Sequence, residues 1–230
     1  MQDGSPSPDM PARAAVTGRR SIRRFLPDPV PQETVRAILA EASRAPSGTN
    51  TQPWHVTVVT GAARDRLCDA VTKAAEAGER SEEYEYMPAK LREPYITRRR
   101  RIGYALYALY GVARDDYPAR KRAMLRNFNF FGAPVGLFFS MDRDLLYGSW
   151  LDCGMFMQNV MILARAHGLE TCPQQAWCEF GQVVHETLGI PDDRILISGM
   201  SLGHPDPDAP ENTLVSEREP PEGFATFLTD

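Results

Sequence analysis

The sequence predicts an α+β fold. Three observations point there: the β-branched runs are short and scattered, helical patterns separate them with no repeated βαβ rhythm, and one long segment is apolar on most sides. The last of these places a long buried helix within the fold. The 230 residues are 43% hydrophobic, enough for a sizeable core, and no internal repeat or long linker divides them. A single domain over residues 15–230 is therefore expected. Residues 1–14, most plainly Met1 to Pro11, are rich in Pro, Ser and Asp, lack the apolar core of a signal peptide, and read as a disordered tail.

The elements follow in chain order. After the Pro-rich entry PDPVP, residues 31–44 carry Val35, Ile38, Leu39 and Ala42 on one helical face and stop at Pro46-Ser47-Gly48. His55 to Thr60 (HVTVVT) reads as a strand because its β-branched residues suit a pleated surface. Residues 62–79 form a second helix broken at Gly78. Residues 80–127 scatter tyrosines among many charges and read as helical excursions over the surface. A strand from Val135 to Ser140 follows Ala133-Pro134. Ser149 is placed to cap a helix from Trp150 to about Ala166 that ends at Gly168. Its sequence, WLDCGMFMQNVMILARA, demands burial at the centre of the fold or between subunits. A short helix near 179–188 precedes a strand from Arg194 to Ser201, and the chain from Gly203 onward is Pro-rich and extended.

Composition excludes several function classes. A net charge of −4 and a pI near 5.7 argue against nucleic acid as the main partner. No apolar run is long enough to span a bilayer, and the reading is a cytoplasmic protein. Cys68, Cys153, Cys172 and Cys178 match no zinc or CxxC spacing and read as buried free thiols. His185-Glu186 starts like a zinc-protease helix, but position 189 is Gly, so no metal site is expected. Gly199-Met200-Ser201-Leu202-Gly203 is a literal GxSxG. A nucleophile elbow needs a helix next, and His204-Pro205-Asp206-Pro207 cannot start a long one. Neither a GxGxxG nor a P-loop pattern is present.

Two segments carry chemistry of their own. Arg19-Arg20-Ser21-Ile22-Arg23-Arg24 offers guanidinium groups, a hydroxyl and backbone amides that suit a phosphate dianion; a solvated basic run has the same composition. Ala45-Pro46-Ser47-Gly48-Thr49-Asn50-Thr51-Gln52-Pro53-Trp54 joins a helix to a strand. Its small polar residues can hydrogen-bond a heterocycle or a ribityl chain, and equally make an ordinary turn. Tyr84, Tyr86, Tyr104, Phe128 and Phe130 form either an aromatic substrate pocket or packing beneath the excursion, with Thr49 a further pocket candidate. Arg98 to Arg101 could meet an anionic substrate or form a solvated helix face.

Taken together, RRSIR, a helix, and APSGTNTQPW running into a strand resemble the nitroreductase family of FMN flavoproteins. The resemblance continues through Gly168-Leu169-Glu170-Thr171-Cys172-Pro173-Gln174-Gln175-Ala176, which matches the loop after that family's long central helix, and Asn212-Thr213-Leu214-Val215-Ser216-Glu217-Arg218, so that it covers Arg19 to Pro220. It implies that Arg19, Arg20, Ser21 and Arg23 hold the phosphate and ribityl end of FMN, with Arg218 closing on the phosphate. Pro46, Ser47, Gly48 and Asn50 would approach the same flavin from the other subunit, with Gln52 nearby. Pro173, Gln174, Gln175 and Ala176 would lie along the isoalloxazine, a backbone N–H near Gln175 would face N5, and Asn127 would reach the pyrimidine edge. Ser216 departs from the lysine common at that place.

The resemblance further implies a mixed or antiparallel central sheet flanked by helices around the long buried helix, an intertwined homodimer with two FMN sites at its interface, and residues 80–130 as a variable lid. NADH or NADPH would donate electrons in a ping-pong, two-electron reduction of a small electron-poor aromatic acceptor, a nitro compound foremost. No side-chain nucleophile is implied, because flavin N5 carries the hydride. Enone reduction, reductive dehalogenation and flavin-consuming chemistry share the scaffold, and a non-catalytic flavin-binding protein is the alternative outside enzymes.

Overall fold

Four strands form the sheet: β1 (His55–Thr60), β2 (Val135–Asp142), β3 (Glu170–Gln174) and β4 (Arg194–Gly203), in a computed structural model that describes residues 10–229. Their order is β1-β2-β4-β3 and every pairing is antiparallel. The central strand β2 is buried from Val135 to Met141, because helices cover both faces of the sheet. α3 (Gly61–Ala77) and α7 (Gly181–Leu188) pack on one face, α2 (Gln32–Ala42) and α6 (Tyr147–Ala166) on the other.

Each face has its own core. On the α3/α7 side the Trp177 ring stacks on Phe130 at 4.5 Å, and Phe128 and Phe138 meet it edge-on at 5.4 and 5.3 Å. Aromatic pairs of this geometry contribute about 0.5–1.5 kcal/mol each beyond their buried area. Two glycines make room for them: a Cβ on Gly199 would lie 2.3 Å from the Trp177 ring, and one on Gly136 would lie 2.2 Å from Phe130. On the other face Val35 and Ile38 of α2 pack with Phe156, Met157 and Val160 of α6 against Leu137, Phe139 and Met200.

The strands near His55, Val135 and Arg194 appear where the sequence places them, the last two running on to Asp142 and Gly203. Three expectations need correction. Glu170–Gln174, read as a loop, is an edge strand; Pro173 is tolerated there because an edge position leaves room for a missing N–H. Ser149 does not cap α6, which begins at Tyr147; the Ser149 N–H already donates to the Leu146 carbonyl inside the first turn. Of the span expected to be disordered, residues 1–9 lie outside the described residues. Ala12–Gly18, however, form a helix, α1, whose buried Ala15 helps seat it against α6.

The excursion is helical, as expected: α4 (Tyr95–Leu109) and α5 (Tyr117–Leu125) contain no fully buried residue. Its root is fixed by Glu83, a buried carboxylate that lies 2.9 Å from His185 and 2.9 Å from Arg143. Among the described residues no helix is long and apolar enough to cross a membrane, and no cluster of His, Cys, Asp and Glu could hold a metal ion. All four cysteines are free and buried. Ser201 of the GxSxG string lies fully buried within β4, its hydroxyl donating to Gln174 Oε1 at 2.6 Å, so it forms no nucleophile elbow.

Candidate functional site

The outer edge of β3 gathers three of the sequence motifs. Ser21 forms a parallel bridge with Thr171, and the Ile22 N–H donates to the Thr171 carbonyl at 3.1 Å. This lays Arg19, Arg20, Ser21 and Arg23 alongside the strand that ends at Pro173 and Gln174. The C-terminal segment closes the third side. Asn212 Oδ1 accepts from the Arg23 N–H at 2.8 Å, and Arg20 donates to the Asn212 carbonyl at 3.4 Å. Behind them Arg126 donates to the Arg23 carbonyl at 2.8 Å and to the buried Glu211 at 2.7 Å.

The resulting cleft is a cavity of about 560 Å³ lined by Arg19, Arg20, Val215, Ser216, Arg218 and the end of α1. Its electrostatics favour an anion. Burial, with repulsion from Arg218 and Arg165, lowers the pKa of the Arg19 guanidinium, while Glu170 pulls the other way. A phosphate placed between Arg19 and Arg218 would relieve that repulsion through charge-assisted bonds. Arg165 lies 3.0 Å from Glu170, yet Arg165 Nε, Glu170 Oε2 and Thr171 Oγ1 are buried without hydrogen-bond partners. Orphaned polar atoms beside a cationic cleft fit a site shaped for a further polar group. The residues present thus suit the phosphate end of FMN.

At the far end of β3, Pro173, Gln175 and Ala176 are half-buried and leave surface for a ligand. The Gln174 amide is committed instead to the fold: its Oε1 accepts from Ser201, and its Nε2 donates to the Asn127 carbonyl at 2.8 Å. Asn127 Nδ2 donates to Met124 O at 2.8 Å. This chain of amides sets the position of the strand end.

The fourth motif lies elsewhere. The Gly48 N–H donates to the buried Asp152 of α6 at 3.2 Å, and the Gln52 N–H donates to Ser47 Oγ at 3.0 Å. Thr49, Asn50 and Gln52 all adopt left-handed backbone, at φ 49°, 62° and 49°. Strain of this kind is concentrated at ligand clamps and persists only when the surroundings enforce it. Trp54 holds the other side by stacking on Phe156 with ring centroids 4.7 Å apart. Asp152 is thirteen positions before Arg165, which is about 20 Å along a helix axis at 1.5 Å per residue. Within the chain, then, the Pro46–Gln52 loop and the arginine cleft stand at opposite ends of α6.

The aromatic candidates divide sharply. Phe128 and Phe130 are 1% and 0% exposed and pack around Trp177, so they are core residues rather than pocket walls. Tyr84 is also built in: its hydroxyl donates to the Ile197 carbonyl at 2.6 Å and its ring meets Trp150 edge-on. Tyr86, Tyr104 and Thr49 remain exposed, Tyr104 beneath the Arg114 guanidinium at 5.0 Å. Sequence reasoning passed over Asp152, Arg165 and Glu211. The signal available for the first was a lone carboxylate inside an apolar helix.

Comparison with known proteins decides the family. The nitroreductase family model matches residues 16–204. The chain belongs to the nitroreductase family. It is 42% identical to a nitrobenzene nitroreductase of Ectopseudomonas oleovorans, over 93% of this chain and 95% of that one. It is 38% identical to a 4-nitrobenzoate reductase of Pseudomonas putida, over 94% of each. Among solved structures, an FMN- and NADPH-dependent nitroreductase from Sphigopyxis sp. strain HMH superposes with a TM-score of 0.94 at 39% identity, covering 96% of this chain and 100% of that one. The α+β fold and the family expected from the short motifs are both borne out.

Proposed function

We propose that this nitroreductase-family chain binds FMN and uses electrons from NADPH or NADH for the two-electron reduction of a nitroaromatic acceptor. The observation that carries the reading is the convergence of Arg19, Arg20, Ser21 and Arg218 on the edge of β3, in a chain similar throughout to nitrobenzene and nitrobenzoate reductases. When bound, FMN supplies the two-electron chemistry. Arg19, Arg20 and Arg218 would hold its phosphate, with Ser21 and Arg23 toward the ribityl chain and Arg165 as second-rank positive charge. The backbone of Pro173 to Ala176 would run along the ring, held in place by the Gln174–Ser201–Asn127 bonds. Asn127 acts through Gln174 in this reading.

A homodimer completes the site. α6 leaves Tyr147, Leu151 and Met155 exposed on a helix whose other faces are core, and Leu151 is 71% exposed. Covering that stripe with a second copy, in an obligate interface on the order of 2,000–5,000 Å², would bring the partner's strained 46–52 loop to the arginine cleft. The roughly 20 Å between the two motifs within one subunit supports this division of labour. Tyr86, Tyr104 and Thr49 are the remaining pocket candidates.

An absorption spectrum of the purified protein, taken before and after anaerobic NADPH, tests the reading. A flavin spectrum that bleaches and returns on adding nitrobenzene or 4-nitrobenzoate is the expected result. A protein that stays colourless after incubation with FMN refutes it, and flavin that does not bleach points to a binding protein without turnover.

A further inference from the structure

A second cationic groove lies next to the proposed phosphate cleft and shares only the wall Val215–Arg218 with it. It runs between α4 and the C-terminal segment, has a volume of about 830 Å³, and is rimmed by Arg98, Arg99, Arg101 and Arg218. Ile102, Leu214, Val215 and Phe224 supply apolar surface within it. The segment Val215–Arg218 is a common wall: Val215, Ser216 and Arg218 line this groove and the arginine cleft alike. Whatever sits here is therefore a neighbour of the flavin site.

We infer that this groove binds the 2′-phosphoadenosine end of NADPH, with Arg99 and Arg101 reading the 2′-phosphate. The inference rests on the nitroreductase reading above. Charge is the first argument. Apart from the shared Arg218, three arginines face two glutamates in the lining, a local positive excess on a chain of net charge −4. Arg98 and Arg101 pair with Glu219 and Glu217, but all four side chains are more than 40% exposed, and ion pairs of that kind are weak and readily exchanged. Arg99 has no carboxylate within salt-bridge distance among the described residues. A phosphate dianion, which accepts bidentate guanidinium bonds, matches this set better than the uncharged 2′-hydroxyl of NADH.

Size and surface give the second argument. Single-ring acceptors are far smaller than 830 Å³, whereas pockets of roughly 300–1,000 Å³ suit ligands of nucleotide size. Phe224, 73% exposed, offers a ring face on which a purine can stack beside Ile102 and Leu214. Helical spacing explains the layout: Arg98, Arg101, Ile102 and Ala105 fall on one face of α4, charge at its start and apolar surface further on.

Calorimetric titration of the full-length, flavin-loaded protein with adenosine 2′,5′-bisphosphate and with 5′-AMP tests the groove. The bisphosphate should bind roughly 10- to 100-fold more tightly, the range expected of a charged hydrogen-bonded contact. Arg99→Gln and Arg101→Gln should each shrink that gap, and the NADPH-over-NADH preference in flavin bleaching should fall in step. Equal binding of the two nucleotides, or a gap that survives both variants, overturns the inference. So does an effect of the variants on 4-nitrobenzoate alone, which would make the groove an acceptor site. A protein that takes up no flavin contradicts the proposed function, and the bisphosphate titration still decides the groove.

Discussion

Replacing Asp152 by alanine separates the anchoring of the 46–52 loop from the stability of the core. Asp152 is 8% exposed on an otherwise apolar helix, and its Oδ2 accepts the Gly48 N–H at 3.2 Å. The loop beyond holds three non-glycine residues in left-handed backbone, at a cost on the order of 1 kcal/mol or more for each, less for Asn50. A hydrogen bond to a charged acceptor contributes about 1.5–3 kcal/mol, and the Gln52–Ser47 bond about 0.5–1.5 kcal/mol. Those two terms offset part of the strain, alongside the Asn50–Ser47 and Thr51–Gly48 backbone bonds. Without the carboxylate, the ordered fraction of the loop should fall by a factor of roughly 10 to 100. If the loop clamps a flavin, the apparent FMN Kd rises by the same factor, because affinity scales with the competent fraction.

The core should respond much less. Removing a buried carboxylate also removes the penalty of keeping it out of water, so the two effects on global stability oppose each other. Fluorescence titration of apoprotein with FMN, paired with a thermal melt, reads both quantities. The expected result is a Kd raised about tenfold or more with a small change in Tm, and Asp152→Asn between parent and alanine variant. An FMN Kd within about twofold of the parent would show that neither the Asp152 anchor nor the loop's conformation matters to the cofactor.

Two further outcomes follow from buried groups. Burial raises the Glu170 carboxyl above its usual 4.5, against the pull of Arg165, Arg20 and Arg19. A raised folded-state pKa gives stability that is complete below the unfolded value and is lost as pH rises through the folded one. Relative to Glu170→Gln, the parent should therefore lose stability from about pH 4 upward and level off above the raised value, as urea melts would show; a flat difference contradicts the burial argument. Burial likewise pushes the thiol of Cys68 up to about 11 and those of Cys153 and Cys178 to about 12, and raises that of Cys172. At neutral pH a thiol reagent should react with none of them until the protein unfolds, and one fast-reacting thiol would be enough to refute this.

How far the sequence could be read depended on whether an element is set by its own residues or by its neighbours. His55–Thr60 and Val135–Asp142 are legible because β-branched and aromatic runs prefer a pleated surface whatever lies beside them. Glu170–Gln174 has weak strand formers and a proline; it is extended because β4 pairs with it on one side and Ser21 on the other. Ala12–Gly18 is short and largely exposed, and it owes its place to contact with α6 and the room Gly18 leaves for Arg165. Aromatics were the least readable residues. Phe130 and Tyr104 stand in equally mixed surroundings along the chain, yet one is sealed under Trp177 and the other lies open beneath Arg114.

The site was legible as strings and illegible as an arrangement. RRSIR and PSGTNTQPW point to a cofactor only through their joint resemblance to a family, and neither says that α6 holds them apart. That separation follows from Asp152 near one end of the helix and Arg165 near the other, each a lone charge in an apolar stretch. A charge kept in such surroundings is costly unless a partner repays it. In this helix the partners are the Gly48 amide at one end and Glu170 at the other, which is why a helix that reads as pure core also sets where both halves of the proposed site stand.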